Sequence, residues 1–295
     1  MIQIVNILLG GLFQAALLFL VSSGLQLVFG VQKIVNLACG AIYALGAYFG
    51  IAAASHMFDL GAPRALLVPI LLLSGIALAA VIGPVIERLL RTVYERDEHF
   101  QLLLTFALIL IFEDVIRIFW GTSPQQLGDA YLVYGRIGIG SGILVPVYNF
   151  IVIGFAAVFA FAMQWLIGHT RFGAIVRATA ENSRMSAAVG VCVSGIYVRV
   201  FTLGTALGTV GGALAIPASA ASLAMGIDLI VDAFAVVIIG GLGSMKGALY
   251  GAVIVGLVKA IAIATLPEIE MLAIYLIVIA VLVLKPSGLF GKGAA

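Results

Sequence analysis

The chain has 295 residues, 63% hydrophobic and 9% charged, with net charge +2 and mean hydropathy +1.25. A water-facing globule carries about a quarter charged residues, so this composition excludes a soluble enzyme or nucleic-acid binder. It describes a membrane protein with almost no soluble domain. A β-barrel needs short alternating segments; the apolar runs here are continuous and rich in Leu, Ile and Ala, which points to helices.

The N-terminus has neither a basic n-region nor a small-residue cleavage pattern, so the first apolar run is expected to be a retained span. Spans are expected at about 7–31, 34–55, 65–90, 101–120, 147–168, 196–217, 228–244, 247–266 and 268–285. Polar breaks near Lys33 and Lys246 suggest hinges in broken or re-entrant helices, which leaves eight to ten spans. Together they form one membrane domain over 1–295: an all-α polytopic bundle with Gly-rich interruptions. Cys39 and Cys192 have no CxxC or disulfide-framework spacing and read as small apolar residues.

Between these runs the charges are unevenly placed. With the 169–190 segment in the cytoplasm, Lys33, Arg88, Arg91, Arg96, Arg171, Arg177, Arg184, Arg199, Lys246, Lys285 and Lys292 fall inside. Arg64, Arg117, Arg136 and Lys259 fall outside, giving eleven against four. The positive-inside rule then predicts the N-terminus outside and the C-terminus inside. The 87–100 loop also carries Glu87, Glu95, Asp97 and Glu98, but acids count little in that rule.

The first unusual stretch is 28–48, where Gln32, Lys33 and Asn36 interrupt an apolar run ahead of Gly40 and Gly46. The fourth span ends in FEDVIRIFWG, where Arg117 can reach Glu113 four residues back or Asp114 three back on one helix face. The segment 121–146 carries several glycines and two prolines, so no long helix is expected there; it is the largest external segment. Residues 169–190, HTRFGAIVRATAENSRMSAAVG, form a polar, Arg-bearing island of helix length. Phe172, Ile175, Val176 and Thr179 make one apolar-leaning face, while Arg171, Arg177, Glu181 and Arg184 are polar. Glu181 can pair with Arg177 or Arg184. Gly173 permits a close turn into the helix, and Gly190 can end it.

Further on, Gly204, Gly208 and Gly212 recur every four residues, as do Gly243, Gly247 and Gly251; Gly46 and Gly50 have the same spacing. Such faces let helices approach closely in lipid. Asp228 and Asp232 sit at the start of the seventh expected span, where acids suit the helix dipole. Lys259 lies near the outer end of its span and can snorkel. The second Gly-broken stretch is 238–256, IIGGLGSMKGALYGAVIVG. Irregular backbone at membrane depth survives only against protein or a water-lined cavity, and paired broken segments point to a transport path.

No GxxxxGK[ST], HExxH, GxSxG or carboxylate-rich metal cluster is present, so no catalytic set and no nucleotide site are expected. The residues alone leave three readings open: a transporter subunit that borrows its energy source, a self-sufficient carrier or channel, and a membrane-embedded enzyme or scaffold.

Three blocks in order narrow this: IVNLACGAIYALGAY (34–48), TRFGAIVRATAENSRMSAAVGV (170–191) and VIIGGLGSMKGALYGAVIVG (237–256). Together they resemble the LivH-like permease subunits of the branched-chain amino acid ABC transporter family, over nearly the whole chain. The resemblance implies an importer permease that works by alternating access, with ATP and Mg held on two cytoplasmic ATPase subunits and no cofactor on this chain. It implies a second, LivM-like permease in a heterodimer, a periplasmic binding protein, and the bacterial inner membrane.

Within 169–195 it implies a coupling segment carried by Arg171, Phe172, Gly173, Arg177, Ala178, Glu181, Asn182, Arg184 and Gly190, with Phe172 and Ala178 docking on an ATPase. Asn36, Cys39, Gly40, Tyr43, Gly240, Gly243, Ser244 and Gly247 are the candidate path residues. Glu113, Asp114, Arg117, Asp228 and Asp232 are candidates for the outer mouth. The family's first block has the form INFAHGE-x-YMLGAY; here Leu37, Ala38, Cys39 and Gly40 stand for Phe-Ala-His-Gly, and Ala41 for the acid. That loss of a titratable group widens the implied substrates from branched-chain amino acids to amides, urea and aromatic or other organic acids.

Overall fold

A computed structural model describes residues 2–94, 96–138 and 144–291. Glu95, Lys292 and the tip of the 121–146 segment (139–143) lie outside the described residues. Regular structure in the described chain is helical, apart from one small ribbon.

Eleven helices follow in order among the described residues: α1 (Ile2–Gln32), α2 (Cys39–Asp59), α3 (Leu67–Arg91), α4 (Glu98–Trp120), α5 (Val147–His169), α6 (Arg171–Glu181), α7 (Ser183–Ala188), α8 (Val193–Ala215), α9 (Met225–Gly240), α10 (Met245–Thr265) and α11 (Glu270–Leu284). Among the described residues, seven helical segments are long and apolar enough to cross a bilayer: those containing α1, α2, α3, α5, α8, α10 and α11. The chain is therefore a multi-pass membrane protein. α4 packs on α2 and α3, and the shorter α9 packs on α1, α2, α10 and α11.

The bundle has a centre and a perimeter. α1 contacts α5, α8, α9 and α10, and α8 contacts α1, α2 and α3. The most apolar window of α8 is 72% buried, against 6% for the segment holding α11, so α8 is core while α11 presents Leu272, Leu276, Ile279 and Val283 outward. Apolar contact with lipid is as favourable as contact with protein, so close backbone packing must hold the centre. A Cβ on Gly46 would lie 2.5 Å from the Thr209 Cα, and one on Gly24 would lie 2.5 Å from the Gly204 carbonyl oxygen. The small-residue faces are thus the surfaces on which α8 meets α1 and α2.

Both anticipated helix breaks are present, with shifted boundaries. The expected span 34–55 starts only at Cys39, because 33–38 is unwound. Lys33 takes φ +59, a left-handed conformation that costs a non-glycine residue about 1–2 kcal/mol. The Asn36 side-chain carbonyl then accepts from the Ala38 N–H at 3.1 Å and turns the chain into α2. The expected span 228–244 ends at Gly240, because Gly241 and Gly243 take φ +92 and +78. Ser244 restarts the chain as N-cap of α10, its hydroxyl accepting from the Gly247 N–H at 3.1 Å.

The described residues of the 121–146 segment form no long helix. Its strands β1 (Arg136–Gly138) and β2 (Leu144–Pro146) pair antiparallel. Gln125 exchanges backbone hydrogen bonds of 2.9 and 2.8 Å with Ala221. The Tyr134 hydroxyl donates to the Ala65 carbonyl at 2.8 Å and accepts from the Val68 N–H at 3.1 Å, which staples the segment to the start of α3.

Candidate functional site

The polar island folds as α6 and α7, joined at Asn182. The α5–α6 corner is sharp: Thr170 caps α6 by accepting from the Gly173 N–H at 3.0 Å, while its hydroxyl donates to the Leu166 carbonyl at 2.6 Å. A Cβ on Gly173 would collide with the Leu166 and Ile167 carbonyl oxygens, so only glycine lets α6 fold back this tightly on α5. Arg177 donates to the same Ile167 carbonyl. Asn182 closes α6 through its N–H to the Ala178 carbonyl at 3.0 Å and opens α7 by accepting from the Met185 N–H at 2.9 Å. Gly190, at φ +90, ends the unit.

The apolar-leaning face of α6 turns inward. Val176 is buried with Leu27 and Val31 of α1, Met163 of α5, and Ile196 and Val200 of α8. Phe172 and Ile175 pack half-buried on that cluster, and so does Met245 at the start of α10. Phe172 therefore spends much of its surface on its own bundle. The outward face carries Arg171, Ala174, Arg177, Ala178 and Glu181, all exposed, continued by Arg184 on α7. Glu181 pairs with neither Arg177 nor Arg184 among the described ion pairs, which leaves its carboxylate on the open face.

The path candidates divide into two groups. Asn36 and Cys39 line a crevice with Gly24, Val28, Gly204 and Thr205. It holds about 10 Å³, the room of a single water at most. Gly40 is pressed against Gly226 of α9 and Tyr43 against Gly212 of α8, and neither lines the crevice. Gly240, Gly243, Ser244 and Gly247 form the other group, an elbow where α9 and α10 cross at Gly240 and Gly247.

Gln26 on α1 joins the elbow to the core. Its amide NH2 donates to the Gly241 carbonyl at 2.9 Å, and its carbonyl oxygen accepts from the Gly243 N–H. Both ends of one buried side chain hold the break. A Gln deep within the apolar run of α1 was a legible signal, since polar groups at membrane depth are rarely idle. The C-terminal segment braces the elbow's other side, where Leu289 and Phe290 donate backbone hydrogen bonds of 2.8 and 3.0 Å to Ile239 and Gly240. Phe290 also stacks on Tyr250 at 5.0 Å.

Glu87 does not belong to the charged loop after α3, where the sequence groups it. It lies on α3 with a fully buried side chain, bonded to Arg91 at 2.7 Å. Arg91 also donates to the Ser194 carbonyl at 3.4 Å, and the Tyr94 hydroxyl donates to Glu87 at 3.3 Å. Burial, then the Glu87 charge, raises the Tyr94 hydroxyl well above its ordinary pKa, so it stays a donor. Tyr94 meets Tyr197 edge-on at 5.5 Å. This knot ties α3 to the first turn of α8, just past α7.

At the other end of the bundle, Arg117 reaches both Glu113 at 3.1 Å and Asp114 at 3.2 Å. Asp228 is exposed in the first turn of α9. Asp232 is buried deeper in α9, and its partner is Lys259 at 2.7 Å. Lys259 also meets Glu270 at 3.0 Å, so it closes an ion cluster instead of snorkelling. The described residues bring the outer candidates to no common point.

A family model described as "Branched-chain amino acid transport system / permease component" matches residues 7–282. The high-affinity branched-chain amino acid transport system permease protein LivH of Salmonella typhimurium is 24% identical, covering 92% of this chain and 91% of its own. The permease protein BraD of Pseudomonas aeruginosa is 21% identical, covering 97% and 95%. The ribose import permease protein RbsC of Escherichia coli is 25% identical over 62% of this chain and 59% of its own.

Proposed function

Because this chain belongs to the permease-component family of branched-chain amino acid transport systems, we propose that it is one membrane subunit of an ATP-driven importer for branched-chain amino acids or related small organic solutes. Two ATPase subunits carry ATP and Mg, a LivM-like permease completes the membrane dimer, and a binding protein delivers solute from outside. The chain sits in the bacterial inner membrane as one permease domain, N-terminus out and C-terminus in.

The observation that carries this reading is the geometry of α6. Its apolar face is occupied by its own bundle, while a polar face of Arg171, Arg177, Ala178 and Glu181 stands open. A surface loop with no partner would not need Gly173 and Asn182 to fix its pose. The energy of ATP closure enters on that face. It passes through Val176 to the cluster shared by α1, α5, α8 and the start of α10, where it reaches the elbow at Gly243. Transport then requires α1, α2 and α8 to part at the closed Asn36 crevice. Glu113, Asp114, Arg117, Asp228 and Asp232 stand toward the outer mouth and have no part in that step.

The test is charge reversal on the open face. Arg177→Glu and Glu181→Arg are each expected to insert normally and lower ATP-coupled uptake by about tenfold or more in proteoliposomes of the whole assembly, a barrier change of about 1.4 kcal/mol. Unchanged uptake in both variants would overturn the assignment of the face.

A further inference from the structure

The packing of α1 on α8 continues past the Asn36 crevice to the end of the bundle that carries α6. Val28 lines the crevice beside Gly204, and Val31 and Val200 share the cluster under α6. The Gln32 amide NH2 then donates to the Tyr197 carbonyl at 3.0 Å. Gln32 stands about one helical turn past Val28, so this bond ties α1 to α8 at the α6 end of the crevice. The first turn of α8 is held from its other side, by Arg91 on the Ser194 carbonyl and by Tyr94 against the Tyr197 ring.

Two buried side chains on the helices that meet here each hold an atom with no partner among the described residues. Gln32 is 9% exposed, and Thr179, on the inward face of α6, is 2% exposed. The Gln32 Oε1 and the Thr179 Oγ1 both lack a hydrogen bond. A carbonyl only accepts, so the Gln32 NH2 must face Tyr197 and its oxygen is left over. Thr179 departs from the other helical threonines: Thr202 and Thr265 donate to the carbonyl four residues back, at 2.7 and 2.8 Å, and Thr179 does not. α6 packs on both α1 and α8, and Val176, one turn before Thr179, is buried in the cluster with Val31. The two atoms are complementary, an amide acceptor and a hydroxyl donor. The Ser22 hydroxyl is also unpaired, but it stands back along α1 by about 15 Å of helix rise.

A buried polar atom without a partner costs free energy. Were the bonds to Tyr197 and Thr179 compatible, the closed junction would hold both; it holds one. We propose that Gln32 is a two-position latch that links α6 to the closed crevice. In this state it holds α8 at Tyr197. When α6 shifts, the Gln32 oxygen accepts from the Thr179 hydroxyl, the NH2 leaves Tyr197, and α1 parts from α8. The second position pairs both atoms that the first leaves unpaired, so the two states are close in free energy and a push on α6 selects between them. Gln32 and Thr179 are positioning residues, and the proposal rests on the importer reading above.

The test is Thr179→Val, which keeps the shape and the helix propensity and removes only the hydroxyl. Because that hydroxyl is unpaired in the closed state, the purified full chain is expected to melt at or above the wild-type Tm. In proteoliposomes of the whole assembly, solute moved per ATP hydrolysed is expected to fall about tenfold. Thr179→Ser, which restores the hydroxyl, should recover most of it. Gln32→Leu should lower coupling by a similar factor, and the double variant should fall no further than either single one, since the two groups act as a pair. Wild-type coupling in Thr179→Val, no recovery in Thr179→Ser, or additive losses would overturn the latch. So would a Tm for Thr179→Val clearly below wild type, because the hydroxyl would then be paired already, to a water or a side chain. ATP-dependent wild-type uptake that survives Thr179→Val removes the latch alone; wild-type uptake without ATP removes the importer reading itself.

Discussion

Gln26 shows how much one polar side chain can hold in a bundle without hydrophobic drive. It is 1% exposed, and its amide bonds both sides of the α9–α10 elbow. Gln26→Leu keeps the volume but leaves the Gly243 N–H unpaired, at about 1–3 kcal/mol, and the Gly241 carbonyl with only the 3.3 Å bond from the Ser244 N–H. The expected outcome is a lower Tm in detergent, together with faster cleavage of the elbow by added protease. A Tm equal to wild type would show that water replaces the amide at no cost.

Gly173 acts by having no side chain. Gly173→Ala pushes a methyl group into the Leu166 and Ile167 carbonyls, an overpacking strain of about 1–3 kcal/mol. The helix can relieve it only by tilting α6 off α5. Coupled uptake per inserted molecule should fall sharply while Tm falls modestly; full uptake would mean that the pose of α6 is not what matters. Gly173 was legible in sequence as a turn residue, but the reason glycine is needed was not. The collision is with the last turn of α5, a contact that spacing does not reveal.

At the scale of elements, helices were easier to read than their ends. Long apolar runs force a helix in lipid because every backbone group must be paired within its segment. The ends depend on local chemistry: the left-handed Lys33 and the Asn36 turn delay α2, and the positive φ of Gly241 shortens α9. The inward turn of the apolar face of α6 could also not be read, because amphipathicity shows that a face is covered and not by what. Glu87 was misplaced for a related reason. A charge count assigns acids to loops, whereas Arg91 and Tyr94 allow this one to be buried on α3.

The Lys259 cluster belongs to this scale too, since it joins α9, α10 and the start of α11. Lys259→Gln leaves Asp232 and Glu270 without their cation, at about 3–5 kcal/mol for a buried pair broken from one side. Adding Asp232→Asn should restore part of the loss. Melting of the two single variants and the double variant checks this, and strict additivity would mean that the pair is not coupled.

The whole molecule has an open, charged platform on one end and a closed centre. The Asn36 crevice admits at most a water, and the described chain pairs its buried charges internally at Glu87 and Asp232. On the importer reading proposed above, work must be done to open this state, and α6 is where the fold offers a handle. The most direct measurement is solute uptake into proteoliposomes that contain this chain, with and without the second permease, the two ATPases and internal ATP. Uptake only when all are present is the predicted result. Uptake by this chain alone, without ATP, would contradict the account.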